Sequence, residues 1–151
     1  MINRNAYGKP FFTGINHFCY NISHTRNAFT VAISNREVGV DIEKPAGPFL
    51  DVAKTFFTNS EVVYIMEKDS DQRFFEVWTK KESYIKYLGK GLSVPLNSFD
   101  ALALNRANLM TFYMRGYIIS VYGQNLSRSI QIHELNEVEL LKETLLLENL
   151  L

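Results

Sequence analysis

The chain has 151 residues, 16 Lys and Arg against 16 Asp and Glu, one cysteine and 46% apolar residues, the proportions of an ordinary globular domain. A chain of this size buries roughly 70% of its unfolded surface, so it folds without disulfides or a structural metal, and one domain over residues 1–151 is expected. Zero formal charge removes the general attraction to nucleic-acid backbones, Cys19 alone builds no disulfide framework, and neither a long apolar run nor a signal-like leader is evident; a cytoplasmic protein with no nucleic-acid or membrane partner is expected.

From Asn27 to Ser34 the apolar Phe29, Val31 and Ile33 fall at alternate positions, the period of a half-buried strand. Val38 to Glu43 reads as a second strand after Asn35-Arg36-Glu37, and the two together as a β-hairpin. Pro45, Gly47 and Pro48 make a loop, and Phe49 to Phe57 has helical spacing. Thr58-Asn59-Ser60-Glu61 fits a capping box that opens a short helix through Met66. The longest helix is expected from Ser70 or Asp71 to Leu88, stopped by Gly89. Its apolar stripe is Phe74, Val77, Trp78, Ile85 and Leu88, with Phe75, Thr79, Glu82 and Lys86 on a neighbouring face. From Ser98 the pattern turns to short strands: FDALAL, then LMTFYM and YIISVY about Arg115-Gly116, with SIQIH a further candidate. The expected fold class is α+β, an antiparallel sheet with helices packed on one face. The tail from Asn136 to Leu151 reads as a helix whose leucines fall all around it, so the rest of this chain or another chain must cover it.

Asp41 and Glu43 lie two apart on a predicted strand, so both carboxylates leave the same face. Two close carboxylates repel unless a cation or proton lies between them, and Mg²⁺ takes oxygen ligands in this way while sharing substrate phosphates. The plain alternative is a solvated strand face. Glu82 and Lys86 are one helical turn apart, with Lys80 and Lys81 beside them; a surface ion pair explains that spacing, but acidic and cationic groups together also suit a metal and a diphosphate. Ser23 and His24 offer further donors, although a histidine such as His24 alone is more often structural than a ligand, and Lys9 is uninformative by itself.

The order YGKP (7–10), NISH (21–24), VGVDIE (38–43), FFTNSE (56–61), WTKKESYIK (78–86) and GKGL (89–92) resembles the 4′-phosphopantetheinyl transferases of the surfactin-synthetase-activating type. The resemblance runs from Tyr7 to His133 and implies that family's fold. It implies transfer of the phosphopantetheine arm of coenzyme A, as co-substrate, to a serine of an apo acyl or peptidyl carrier protein, with 3′,5′-ADP leaving. By the same match, Asp41, Glu43 and Glu82 are the Mg²⁺ ligands and Lys86 contacts the pyrophosphate. Lys9, Ser23, His24 and Lys81 hold the phosphates and nucleotide, and Glu82 or Glu61, directly or through water, takes the serine proton. Phe49 and Leu50 would lie near the carrier dock.

Members of this type are usually two similar halves with the site at their junction, and this chain begins just before YGKP, so one half of that pseudo-dimer is expected. A homo-oligomer, as in the short trimeric synthases of the same superfamily, or a separate chain would then complete the site. The alternative is a truncated, non-catalytic homologue that binds coenzyme A or a carrier protein. Asp41, Glu43, Glu82 and Lys86 together favour the enzyme, and a diphosphate hydrolase is disfavoured because no Glu-dense helix follows a Gly-rich loop.

Overall fold

The computed structural model describes residues 1–14, 17–47, 49–126, 130–136, 138–140 and 142. Strands β1 (Ile2–Arg4) and β2 (Pro10–Phe12) form a small antiparallel pair. A hairpin follows, β3 (Cys19–Thr25) with β4 (Ala28–Ser34), closed by Arg26 and Asn27 with Asn27 at φ 63°, a left-handed conformation that Asn tolerates. Next come β5 (Val38–Glu43) and three helices: α1 (Leu50–Phe56), α2 (Asn59–Glu67) and α3 (Ser70–Leu88). Three short 3₁₀ turns then lead to β6 (Leu109–Met114) and β7 (Tyr117–Gly123), which with β5 make an antiparallel sheet in the order β5-β7-β6. The α+β class is as expected from the sequence.

The helix boundaries follow local chemistry. Thr58 Oγ1 accepts from the Glu61 N–H while Glu61 Oε2 accepts from the Thr58 N–H at 2.8 Å, so both halves of the capping box are formed. Gly89 ends α3 at φ 64°, and its N–H donates to the carbonyls of Ile85 and Lys86. One side of α3 packs Phe74 and Val77 against Ala53 of α1, Phe57 at its C-terminal cap and Ile65 of α2, with Phe74 stacked on Phe49, Phe57 and Trp78. The opposite side lies on the sheet, where Thr79 Oγ1 and Ser120 Oγ hydrogen-bond at 2.8 Å. Burial on two sides makes α3 the layer between helices and sheet, so the single apolar stripe expected of it describes only half of its contacts.

Three expectations are corrected. β4 does not pair with β5. It pairs with β3, while β5 is buried along Val38–Ile42 and belongs to the sheet under α3, in register with β7 from Val38↔Gly123 to Glu43↔Ile118. FDALAL is not a strand, because Asp100 caps a 3₁₀ turn by accepting from Leu102 N–H and Ala101 N–H is taken by Glu61 Oε1. Residues 130–133 carry no regular structure. In the tail, 138–140 and 142 are helical, opened by a reciprocal pair of bonds between Asn136 and Glu139; the remaining leucines lie outside the described residues.

Candidate active site

Gly39, Asp41 and Glu43 share the face of β5 that meets α3. Only glycine fits at 39, since a Cβ there would stand 2.0 Å from Ser83 O and 2.4 Å from Tyr87 N. This close approach brings the last turns of α3 onto Asp41. Lys86 Nζ reaches Asp41 Oδ1 at 2.6 Å, and Ser23 Oγ of β3 donates to the same oxygen at 2.8 Å while accepting from Lys86 at 2.9 Å. β3 runs beside β5 without a backbone ladder. Its side chains replace the ladder: Asn21 Oδ1 accepts from Val40 N–H at 2.9 Å and Ser23 Oγ from Ile42 N–H at 3.4 Å. Thr25 Oγ1 donates to Glu43 Oε2 at 3.0 Å, continuing the same register.

Asp41 is only 4% exposed, and its second oxygen, Oδ2, is buried with no hydrogen-bond partner. A buried orphan of this kind needs a cation or a proton. Burial pushes the Asp41 carboxyl above its usual range against the pull of Lys86. Burial and the Asp41 charge do the same to Glu43, and burial with Asp41 and Glu43 to Glu82, so the three carboxylates share one electrostatic neighbourhood. Among the described residues no three His, Cys, Asp or Glu side chains are yet gathered about a common point. The orphaned Oδ2 and the hard-oxygen donor set nevertheless fit a hard divalent cation.

The remaining predicted residues separate from this cluster. Ser23 and His24 are consecutive on β3 and so leave opposite faces: Ser23 is buried on Asp41, whereas His24 is exposed on the outer face opposite Phe29. Lys9 is engaged with Glu37 at 2.5 Å and with Tyr87 O at 3.2 Å, and Asn5 Nδ2 donates to Gly89 O at 2.8 Å; the N-terminal strand pair thus caps the C-terminal end of α3, where positive charge is favourable. Glu61 and Lys81 are fully buried against each other at 2.8 Å. Lys81 also donates to Leu96 O at 2.6 Å and Phe99 O at 2.7 Å, and Glu61 accepts from Thr58 and Ala101 N–H groups. The structure places Glu61, expected as proton acceptor, and Lys81, expected as nucleotide contact, together in the core, where every polar atom of the pair is used in joining α2, α3 and the 3₁₀ turns. The sequence reading missed Asn21 and Gly39. Asn21 was open to detection, lying two residues before Ser23 and hence on the same strand face; the glycine becomes meaningful only once α3 lies on β5.

The opposite face of β5, with Val38 and Val40, joins Ile119 and Val121 of β7 and Val31 and Ile33 of β4 around a cavity of about 470 Å³. The outer face of the hairpin carries Ile22, Phe29, Val31 and Ile33 toward solvent, Ile33 at 66% exposure. Phe49, Phe56, Val63 and Met66 of the α1–α2 region are exposed as well. No described helix is long and apolar enough to cross a membrane.

Comparison with known proteins gives one consistent family. The sequence model of the 4′-phosphopantetheinyl transferase superfamily matches residues 37–141. The chain is 43% identical over 102 residues to the 4′-phosphopantetheinyl transferase gsp of Aneurinibacillus migulanus, covering 66% of this chain and 42% of that protein. It is 41% identical over 97 residues to 4′-phosphopantetheinyl transferase Sfp of Bacillus subtilis, covering 62% and 43%. A more distant relative, 4′-phosphopantetheinyl transferase HetI of Nostoc, is 32% identical over 80 residues, covering 49% and 34%. The matches to the first two thus span about two fifths of each relative's length.

Proposed function

Since this chain belongs to the 4′-phosphopantetheinyl transferase superfamily, we propose that it moves the 4′-phosphopantetheine arm of coenzyme A onto a serine of an apo acyl or peptidyl carrier protein in the cytoplasm. The observation that carries this reading is Asp41: a buried carboxylate with one oxygen on Lys86 and Ser23 and the other orphaned, beside two further carboxylates held above their usual range.

In the reaction the carrier's serine oxygen forms a bond to the phosphorus bearing the pantetheine arm. The bond from that phosphorus to the bridging oxygen breaks, and 3′,5′-ADP leaves. Asp41, Glu43 and Glu82 would hold Mg²⁺, which when bound neutralises and orients the diphosphate. Lys86 supplies a point charge to the diphosphate oxygens that gain charge as the bond breaks. A Glu82 carboxylate oxygen takes the serine proton, directly or through water; burial and the Asp41 charge hold this carboxyl above its usual range before the metal binds. Ser23 and Asn21 keep β5 and Asp41 in place, and His24 on the outer face is left for the phosphates of a nucleotide lying across the hairpin. Phe49 and Leu50 belong with the carrier-protein surface. The exposed hairpin face is assigned to a second body, either another copy of this chain or a separate chain, completing the site over what we read as one domain.

Incubating an apo carrier protein with this chain, coenzyme A and Mg²⁺, and weighing the carrier intact, tests the proposal. A gain of one phosphopantetheine that EDTA abolishes supports it. No gain with folded protein and several carriers refutes it in favour of a non-catalytic homologue that binds coenzyme A or a carrier.

A further inference from the structure

We propose that Lys86 is the resident counter-ion of this site, releasing Asp41 to a divalent cation as its ammonium swings onto the diphosphate, so that metal and diphosphate bind cooperatively. The inference rests on the metal reading given above and adds a mechanism for loading it.

Three observations carry it. Asp41 is 4% exposed, so its carboxylate form needs a cation beside it, and the group meeting it is Lys86 at 2.6 Å. Lys86 is built to leave: its side chain remains 28% exposed, and its flexible stem starts on the last turn of α3. Of the other lysines near the motifs, Lys90 is exposed and four are engaged elsewhere. Lys81 is buried on Glu61, Lys9 lies on Glu37 and the end of α3, Lys80 pairs with Glu76, and Lys44 sits over the Tyr117 ring. Finally, the monocation holds only Oδ1 of Asp41, while Oδ2 is buried with no hydrogen-bond partner and so keeps an acceptor for a second cation.

A cation entering the site alone must displace Lys86 and leave that ammonium without an acceptor. A diphosphate entering with it provides the acceptor, and the exchange then costs little. The coupling is reciprocal: whatever factor the diphosphate adds to metal affinity, the metal adds to diphosphate affinity.

The test is calorimetric titration of Mg²⁺, alone and with coenzyme A, into the wild type, Lys86→Met and the exposed-lysine control Lys90→Met. Removing the resident ammonium should tighten Mg²⁺ alone by about 10-fold, and shrink the gain from coenzyme A by a similar factor, while the control stays within about 2-fold. Equal or weaker Mg²⁺ binding by Lys86→Met overturns the inference but leaves the metal reading standing if the wild type binds. No Mg²⁺ binding by any of the three proteins overturns both. Should Lys86→Met not fold, the Lys86 side-chain ¹³Cε resonance of the wild type decides: it should move on Mg²⁺ saturation, and an unmoved resonance overturns the inference.

Discussion

Gly39→Ala separates packing from chemistry at this site. The added Cβ would lie 2.0 Å from Ser83 O, 2.4 Å from Tyr87 N and 3.0 Å from Lys86 C, where ordinary contact begins at 3.4 Å. All three atoms are backbone inside α3, so no side chain can turn aside, and β5 must draw back from the helix by roughly 1 Å or more. Overpacking costs about 1–3 kcal/mol, and a clash against backbone on both partners belongs at the upper end, ~3 kcal/mol. With ~2–4 °C per kcal/mol for a chain of this size, the melting temperature should fall by about 6–12 °C. The same retreat pulls Asp41 away from Lys86 and should weaken Mg²⁺ binding. Gly116→Ala is the control: at φ 80° with open space around the missing Cβ, it carries conformational strain alone, about 1 kcal/mol. Thermal and urea unfolding followed by circular dichroism measure both. A Gly39→Ala protein that melts with the wild type, or no lower than Gly116→Ala, would refute the account of how α3 meets β5.

Lys81→Met leaves the fully buried Glu61 without its ion partner and should cost ~3–5 kcal/mol, whereas Lys81→Met with Glu61→Gln should recover part of the loss in urea unfolding; equal stability of the single and double variants would contradict a structural pair. Glu82→Gln keeps shape and packing, so its melting temperature should stay within about 2 °C of wild type while carrier modification falls by about 100-fold or more; near-normal transfer would remove Glu82 from the site. Burial and mutual repulsion hold the carboxyls of Asp41, Glu43 and Glu82 above their unfolded values, so the native state binds protons more tightly and their contribution to stability grows as pH falls through the raised values and is lost as it rises. Protons therefore compete with metal, and Mg²⁺ should raise the melting temperature more at about pH 7.5 than at about pH 5.5; an equal or larger effect at the lower pH would refute that linkage.

What could be read from the sequence was what acts within a few residues. The Thr58–Glu61 capping box, the Gly89 stop and the 3.6-residue periodicity of α3 depend on groups within one or two helical turns, and each formed where the chain indicated. The resemblance placed Asp41 and Lys86 in one site without pairing them, the direct contact at 2.6 Å being the structure's, and alternation about Arg115-Gly116 marked the sheet's last hairpin. Long-range choices were not legible. Alternation marks a strand without naming its partner, so β4 could be assigned to β5 until the burial of Val38–Ile42 on both faces put β5 beside β7. Lys81 and Lys86 carry the same charge on the same helix, and sequence alone treats them alike. Only the fold turns Lys81 into the core onto Glu61 and Lys86 toward Asp41, because helix periodicity fixes the angle between two residues, while the layers packed on each side decide which of them meets water.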